Sequence, residues 1–137
     1  MRGPNMIRLG LIYGATLATY LGLDFIWLTL ASGLYQAEIG ALMRPVPNIA
    51  VAGVFYFLYA AGVVVFAVRP GDHGLGLVQS VGLGIFLGLV AYGTYDLTNL
   101  AAFQGYTAKI ALIDLVWGSL LTGLCALSGR LVATRLA

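Results

Sequence analysis

The sequence predicts an all-α membrane protein: four transmembrane helices in an antiparallel bundle, with both termini cytoplasmic. Three observations lead there. Of its 137 residues, 61% are hydrophobic and 9% charged, whereas a soluble domain carries about 25% charged and about 45–50% apolar residues. Four stretches each hold the roughly 20 apolar residues needed to cross a bilayer. Turn-forming residues separate those stretches. Disorder is excluded as well, since it requires low hydrophobicity.

The first helix runs from about residue 6 to 30, and the pattern allows it to continue toward Ala41. It is not a cleaved signal peptide, because the apolar run is too long, contains Asp24 and has no small-residue cleavage site after it. Arg44-Pro45-Val46-Pro47-Asn48 ends it. The second helix spans about 49–68 and stops at Arg69-Pro70-Gly71-Asp72-His73-Gly74. The third spans about 75–97, closed by Phe103-Gln104-Gly105-Tyr106, and the fourth about 109–132. Four crossings use nearly the whole sequence, so residues 1–137 read as a single transmembrane domain.

Basic residues give the orientation, since lysine and arginine collect on the cytoplasmic side. Arg2, Arg8, Arg69, Arg130 and Arg135 fall at the end holding the termini, against Arg44 and Lys109 at the other. Small residues give the packing. Gly10, Gly14, Ala18 and Gly22 recur every four residues in the first helix, as do Gly76, Ser80, Gly84 and Gly88 in the third. Such stripes let helix backbones approach closely, so both are expected to be packing faces.

The remaining counts exclude several chemistries. One cysteine, Cys125, cannot form an intramolecular disulfide. One histidine, His73, is too few for a zinc site or a Ser-His-Asp triad. Lys109 is the only lysine, and a net charge of +2 is too small to argue for nucleic acid. Tyr13, Tyr20, Tyr56, Tyr59 and Tyr106 read as interface or packing aromatics, Cys125 as a small core residue, His73 as a loop residue, and Arg69 and Arg130 as topology signals and headgroup anchors.

Three aspartates break the apolar pattern: Asp24, Asp96 and Asp114. Each costs about 2.5–3.5 kcal/mol to place mid-span and normally faces the bundle interior with a partner. Asp24 follows Arg8 by 16 residues, about 24 Å along a helix. Asp96 lies near the outer end of the third helix, and Asp114 five residues after Lys109. All three therefore sit at one depth, in the outer half. Asp96 shares a face with Tyr92 and Asn99, and Tyr95 is its neighbour. Asp24 and Asp114 each precede a tryptophan by three residues, Trp27 and Trp117. The predicted pocket opens toward the outer face, with Asp24, Tyr92, Tyr95, Asp96, Asn99 and Asp114 as ligand-binding candidates. Trp27, Trp117, Glu38 and Arg44 support it, the last two reckoned with Tyr35 and Gln36 to the loop after the first helix. Three acids this close cannot all ionise cheaply, so at least one is expected to resist ionisation, and Arg44 or Lys109 to neutralise another.

The segments Leu23 to Leu28, Tyr35 to Gly40, Ala91 to Asn99 and Ile113 to Gly118, above all the run Tyr92-Gly93-Thr94-Tyr95-Asp96-Leu97-Thr98-Asn99, resemble the bacterial membrane-protein family DUF2177. The resemblance implies a four-helix protein of the bacterial inner membrane and carries no catalytic residues with it.

Three functions follow from these residues. The first is binding or carriage of a small molecule, lipid or proton at the aspartate pocket. The second is a non-catalytic accessory subunit of a larger respiratory or photosynthetic membrane complex. The third is a membrane-lipid-modifying enzyme, against which stands the lack of a nucleophile–base pair or cofactor motif. Catalytic residues and cofactors are unassigned, and no metal site is read. Membrane lipids, a second copy of the chain and a larger complex are the partners considered.

Overall fold

The computed structural model describes residues 5–137. Arg2, counted above among the basic residues, lies outside the described residues. Four helices, each long and apolar enough to cross a membrane, fold as an up-and-down bundle, and the described residues include no strand.

Helix α1 spans Met6–Ile39. Asn5 caps it by accepting hydrogen bonds from the backbone N–H groups of Ile7 and Arg8. Its 34 residues measure about 51 Å at 1.5 Å each, well beyond the roughly 30 Å hydrocarbon core. A 3-10 turn, Gly40–Leu42, follows. Helix α2 spans Ile49–Val63, capped by the Asn48 side chain on the N–H of Val51. The chain stays helical past the expected stop: a π-helical turn, Val64–Val68, passes into a 3-10 turn, Arg69–His73. Pro70 is tolerated because the first turn of a helix requires no N–H from it. Gly74, at φ +99°, then reverses the chain.

Helix α3, Leu77–Ala102, starts two residues later and ends five later than the sequence suggests. Gly105, at φ +88°, turns the chain into α4, Ala108–Arg135, which Thr107 caps through the N–H of Ile110. The four crossings bring both ends of the described chain to the same end of the bundle.

The bundle is more polar inside than outside. Thr16, Asp24, Ser80, Asp96, Asp114, Thr122 and Arg130 are buried, whereas Phe25, Leu30, Val78 and Phe86 face outward. In lipid the outward apolar side chains cost nothing, because hydrocarbon solvates leucine as well as a protein core does.

The two glycine stripes behave differently. Gly84 and Gly88 pack directly on α4: a Cβ on Gly88 would meet the Gly118 carbonyl oxygen and Ser119, and one on Gly84 would lie 2.7 Å from the Ala126 Cβ. The stripe on α1 packs on no helix of its own chain. Gly10, Gly14, Ala18 and Gly22 are exposed, and nothing lies within 4 Å of a Cβ placed on any of the three glycines. Helix α1 instead presents Ile12, Thr16, Tyr20 and Asp24 inward.

An ion cluster joins three helices at the end nearest the termini. Both guanidinium nitrogens NH1 and NH2 of Arg8 donate to Asp72 at 3.0 Å. Arg130 donates to Asp72 at 2.7 Å and to the Gly71 carbonyl at 2.8 Å. Arg130, read above as a headgroup anchor, is 8% exposed and belongs to the protein interior.

Candidate functional site

The site lies toward the opposite end, where all four helices contribute. On α1, Tyr20, Asp24, Trp27, Ala31 and Tyr35 recur at spacings of four, three, four and four, which puts them on one face. Helix α2 contributes Phe55 and Tyr56, α3 contributes Tyr92 and Tyr95, and α4 contributes Asp114. All of these except Ala31 line a cavity of about 460 Å³. Asp24 and Asp114 are both at its wall and only 9% and 8% exposed.

Each aspartate is held by neutral donors. The Tyr56 hydroxyl donates to Asp24 Oδ2 at 2.8 Å, and the Trp117 indole N–H reaches Asp24 Oδ1 at 3.4 Å. The Tyr35 hydroxyl donates to Asp114 Oδ1 at 2.5 Å, and the Trp27 indole N–H donates to Tyr35 at 3.0 Å. The tryptophan on each of α1 and α4 thus serves the aspartate on the other helix, directly in one case and through Tyr35 in the other. The two indoles stack at 4.6 Å, 8° from parallel.

Asp96 sits behind this wall, fully buried. Its Oδ1 accepts from the Tyr106 hydroxyl at 2.6 Å. Its Oδ2 has no hydrogen-bond partner among the described residues. Tyr106 lies in the loop outside the spans; burial, reinforced by its bond to Asp96, raises its hydroxyl pKa above the usual range and keeps it a donor.

A tyrosine layer forms the floor. The Tyr20 and Tyr92 hydroxyls are bonded at 2.7 Å, and Tyr59 and Thr122 likewise. Thr122 spends its own proton on the Gly118 carbonyl, so Tyr59 is the donor to it. Gly118 is required here, because a Cβ would collide with the Tyr92 ring.

The sequence-derived pocket therefore divides. Asp24, Tyr92, Tyr95, Asp114 and Trp27 line the inner cavity. Asn99 and Arg44 line an adjoining cavity of about 830 Å³ beneath the 40–48 connection, which shares Ala52 and Tyr95 with the inner one. Asp96 lines neither.

Several supporting assignments are corrected. Arg44 neutralises no aspartate: α1 stays helical to Ile39 and carries Arg44 past the bundle, where it is exposed and has no ion pair among the described residues. Lys109 pairs instead with Glu38, at 3.7 Å. Glu38 also accepts from Thr107 at 2.6 Å, so it fastens α1 to the start of α4 rather than facing the pocket. Tyr35, Gln36 and Glu38 are on helix α1, not in a loop. Trp117 does not line the inner cavity but touches Asp24.

Tyr20, Tyr35, Tyr56 and Tyr106 are the residues that sequence reasoning undervalued. For Tyr35 a signal existed: it follows Asp24 by 11 residues, about three turns on the same face. No group of three His, Cys, Asp or Glu side chains suited to a metal ion occurs among the described residues.

Comparison with known proteins gives one family. The family model described as "Predicted membrane protein (DUF2177)" matches residues 9–131. No curated protein and no solved structure matches the chain.

Proposed function

The chain belongs to the DUF2177 family of predicted membrane proteins, and from that premise we propose that it binds or carries a small molecule in the cavity between Asp24 and Asp114. One observation carries the reading. Two carboxyl side chains, each costly inside a membrane, stand at the wall of a cavity of about 460 Å³, inside the size range of small-molecule sites. A purely structural aspartate pair would be expected to close on itself. Here the two acids line an open cavity together with their donors Tyr35 and Tyr56. Asp96, bonded to Tyr106, is buried without lining the cavity.

On the same reading the chain sits in the bacterial cytoplasmic membrane with both termini inside, as the distribution of basic residues favours. A second reading, an accessory subunit of a larger complex, draws on the exposed Gly10, Gly14, Ala18 and Gly22 face of α1, which a foreign helix could occupy.

The test is native mass spectrometry of protein purified in mild detergent. The binding reading expects a small molecule released from wild type and lost from an Asp24→Asn, Asp114→Asn double variant that still folds. Identical bound species in both proteins would remove the aspartates from the function.

A further inference from the structure

We propose that the ligand of this cavity is an alkylated ammonium group carried on an apolar body. The inference rests on the binding reading above and names its substrate class.

The walls are mostly aromatic, with Trp27, Tyr35, Phe55, Tyr56 and Tyr95 among the lining rings. Among the described residues, no lysine, arginine or histidine lines the cavity. The cations are engaged or set apart: Lys109 pairs with Glu38, Arg8 and Arg130 pair with Asp72 at the far end of the bundle, and Arg44 lines only the adjoining cavity. An anion entering here would meet two acids and no counter-charge. A cation would meet carboxyl oxygens and the faces of aromatic rings, and desolvation strengthens both attractions.

The type of cation follows from the hydrogen bonds. A hard divalent ion takes six to eight oxygen ligands, and no three acidic side chains gather to supply them among the described residues. A primary ammonium must find acceptors for three N–H groups once it leaves water. Apart from the two carboxyls only tyrosine hydroxyls in the wall could accept, and those of Tyr20 and Tyr92 are bonded to each other. A quaternary or tertiary ammonium has one such group or none, spreads its charge over a methyl shell and packs directly on rings. The remaining apolar wall, from Leu28, Ala52 and Ala91, suits the body that carries it. The same head could belong to a free amphiphilic amine or to a choline lipid.

The chain has only two tryptophans, and both indole N–H groups report on the site. Protein labelled with ¹⁵N-tryptophan in a maltoside detergent should give two indole signals. Benzyltrimethylammonium should shift both saturably, and Asp24→Asn or Asp114→Asn should each weaken binding about tenfold or more. Neopentylbenzene, which has carbon in place of the charged nitrogen, should leave both signals in place at the same concentration. The two free-state indole signals confirm that each variant is folded. Dihexanoylphosphatidylcholine below its micelle concentration separates the sources. A matching shift assigns the head to a lipid, and a shift with benzyltrimethylammonium alone assigns it to a free cation.

Equal shifts with neopentylbenzene, or cation binding unaltered in both variants, would overturn the ammonium assignment while leaving a neutral ligand in the cavity. No shift with any probe would overturn the binding reading itself.

Discussion

Trp27 and Trp117 lie face to face between α1 and α4, 4.6 Å apart and 8° from parallel. Each comes three residues after an aspartate on its own helix and serves the aspartate of the other. A stacked indole pair couples its electronic transitions. Circular dichroism should therefore show an exciton couplet that either Trp27→Phe or Trp117→Phe removes. The loss of the pair should also cost about 0.5–1.5 kcal/mol in detergent unfolding. A wild-type spectrum without the couplet would mean that the helices meet differently.

Tyr35 is the only side-chain donor to Asp114 among the described residues, whereas Asp24 has both Tyr56 and Trp117. Leaving a buried acceptor without its donor costs about 1–3 kcal/mol. Tyr35→Phe is expected at the upper end of that range and Tyr56→Phe at the lower, as read from thermal unfolding of the two purified variants.

The glycine stripes of α1 and α3 have the same spacing but different neighbours. Gly88→Ala pushes a methyl group into the α4 backbone and should cost about 1–3 kcal/mol or more, the range for overpacking. Gly14→Ala meets nothing and should be neutral, or stabilising by about 0.5–1 kcal/mol through helix propensity. Unfolding midpoints of the two variants check the contrast. A destabilised Gly14→Ala with a changed oligomeric state would locate a partner helix on that face.

Asp72 ties Arg8 and Arg130 together across three helices. Asp72→Asn should lower stability by about 1–3 kcal/mol, because Arg130 is buried and loses its charged partner. Arg8→Gln should cost less, since Arg130 would keep Asp72. Ranking the two by melting temperature at low and high salt tests this, with the deficit of Asp72→Asn persisting in salt.

The four spans, the turns between them and the shared depth of the three aspartates were legible because each is a local property of the sequence. Asp24 and Asp114, on different helices, line one cavity. The tyrosine donors were less legible. Tyr35 lies beyond the point where a bilayer-length helix was expected to stop, and Tyr56 finds Asp24 only through the pairing of α1 with α2. The arginine partners were not legible at all: Arg8 and Asp72 are 64 residues apart, and Asp72 and Arg130 are 58. Spacing also cannot choose between Gly14 and Gly88, because which helix lies alongside is a tertiary fact.

On the proposed function, Asp24 and Asp114 give their charge to a cavity that small molecules can enter. Thiol modification tests it directly. Ala91, at the cavity wall, is replaced by cysteine in a background where the buried Cys125 is alanine. The reaction rates of a trimethylammonium-bearing and a sulfonate-bearing methanethiosulfonate are then compared. The account predicts that the cationic reagent reacts faster by tenfold or more and that Asp24→Asn with Asp114→Asn collapses the ratio toward one. No reaction with either reagent, or equal rates with both aspartates present, would contradict it.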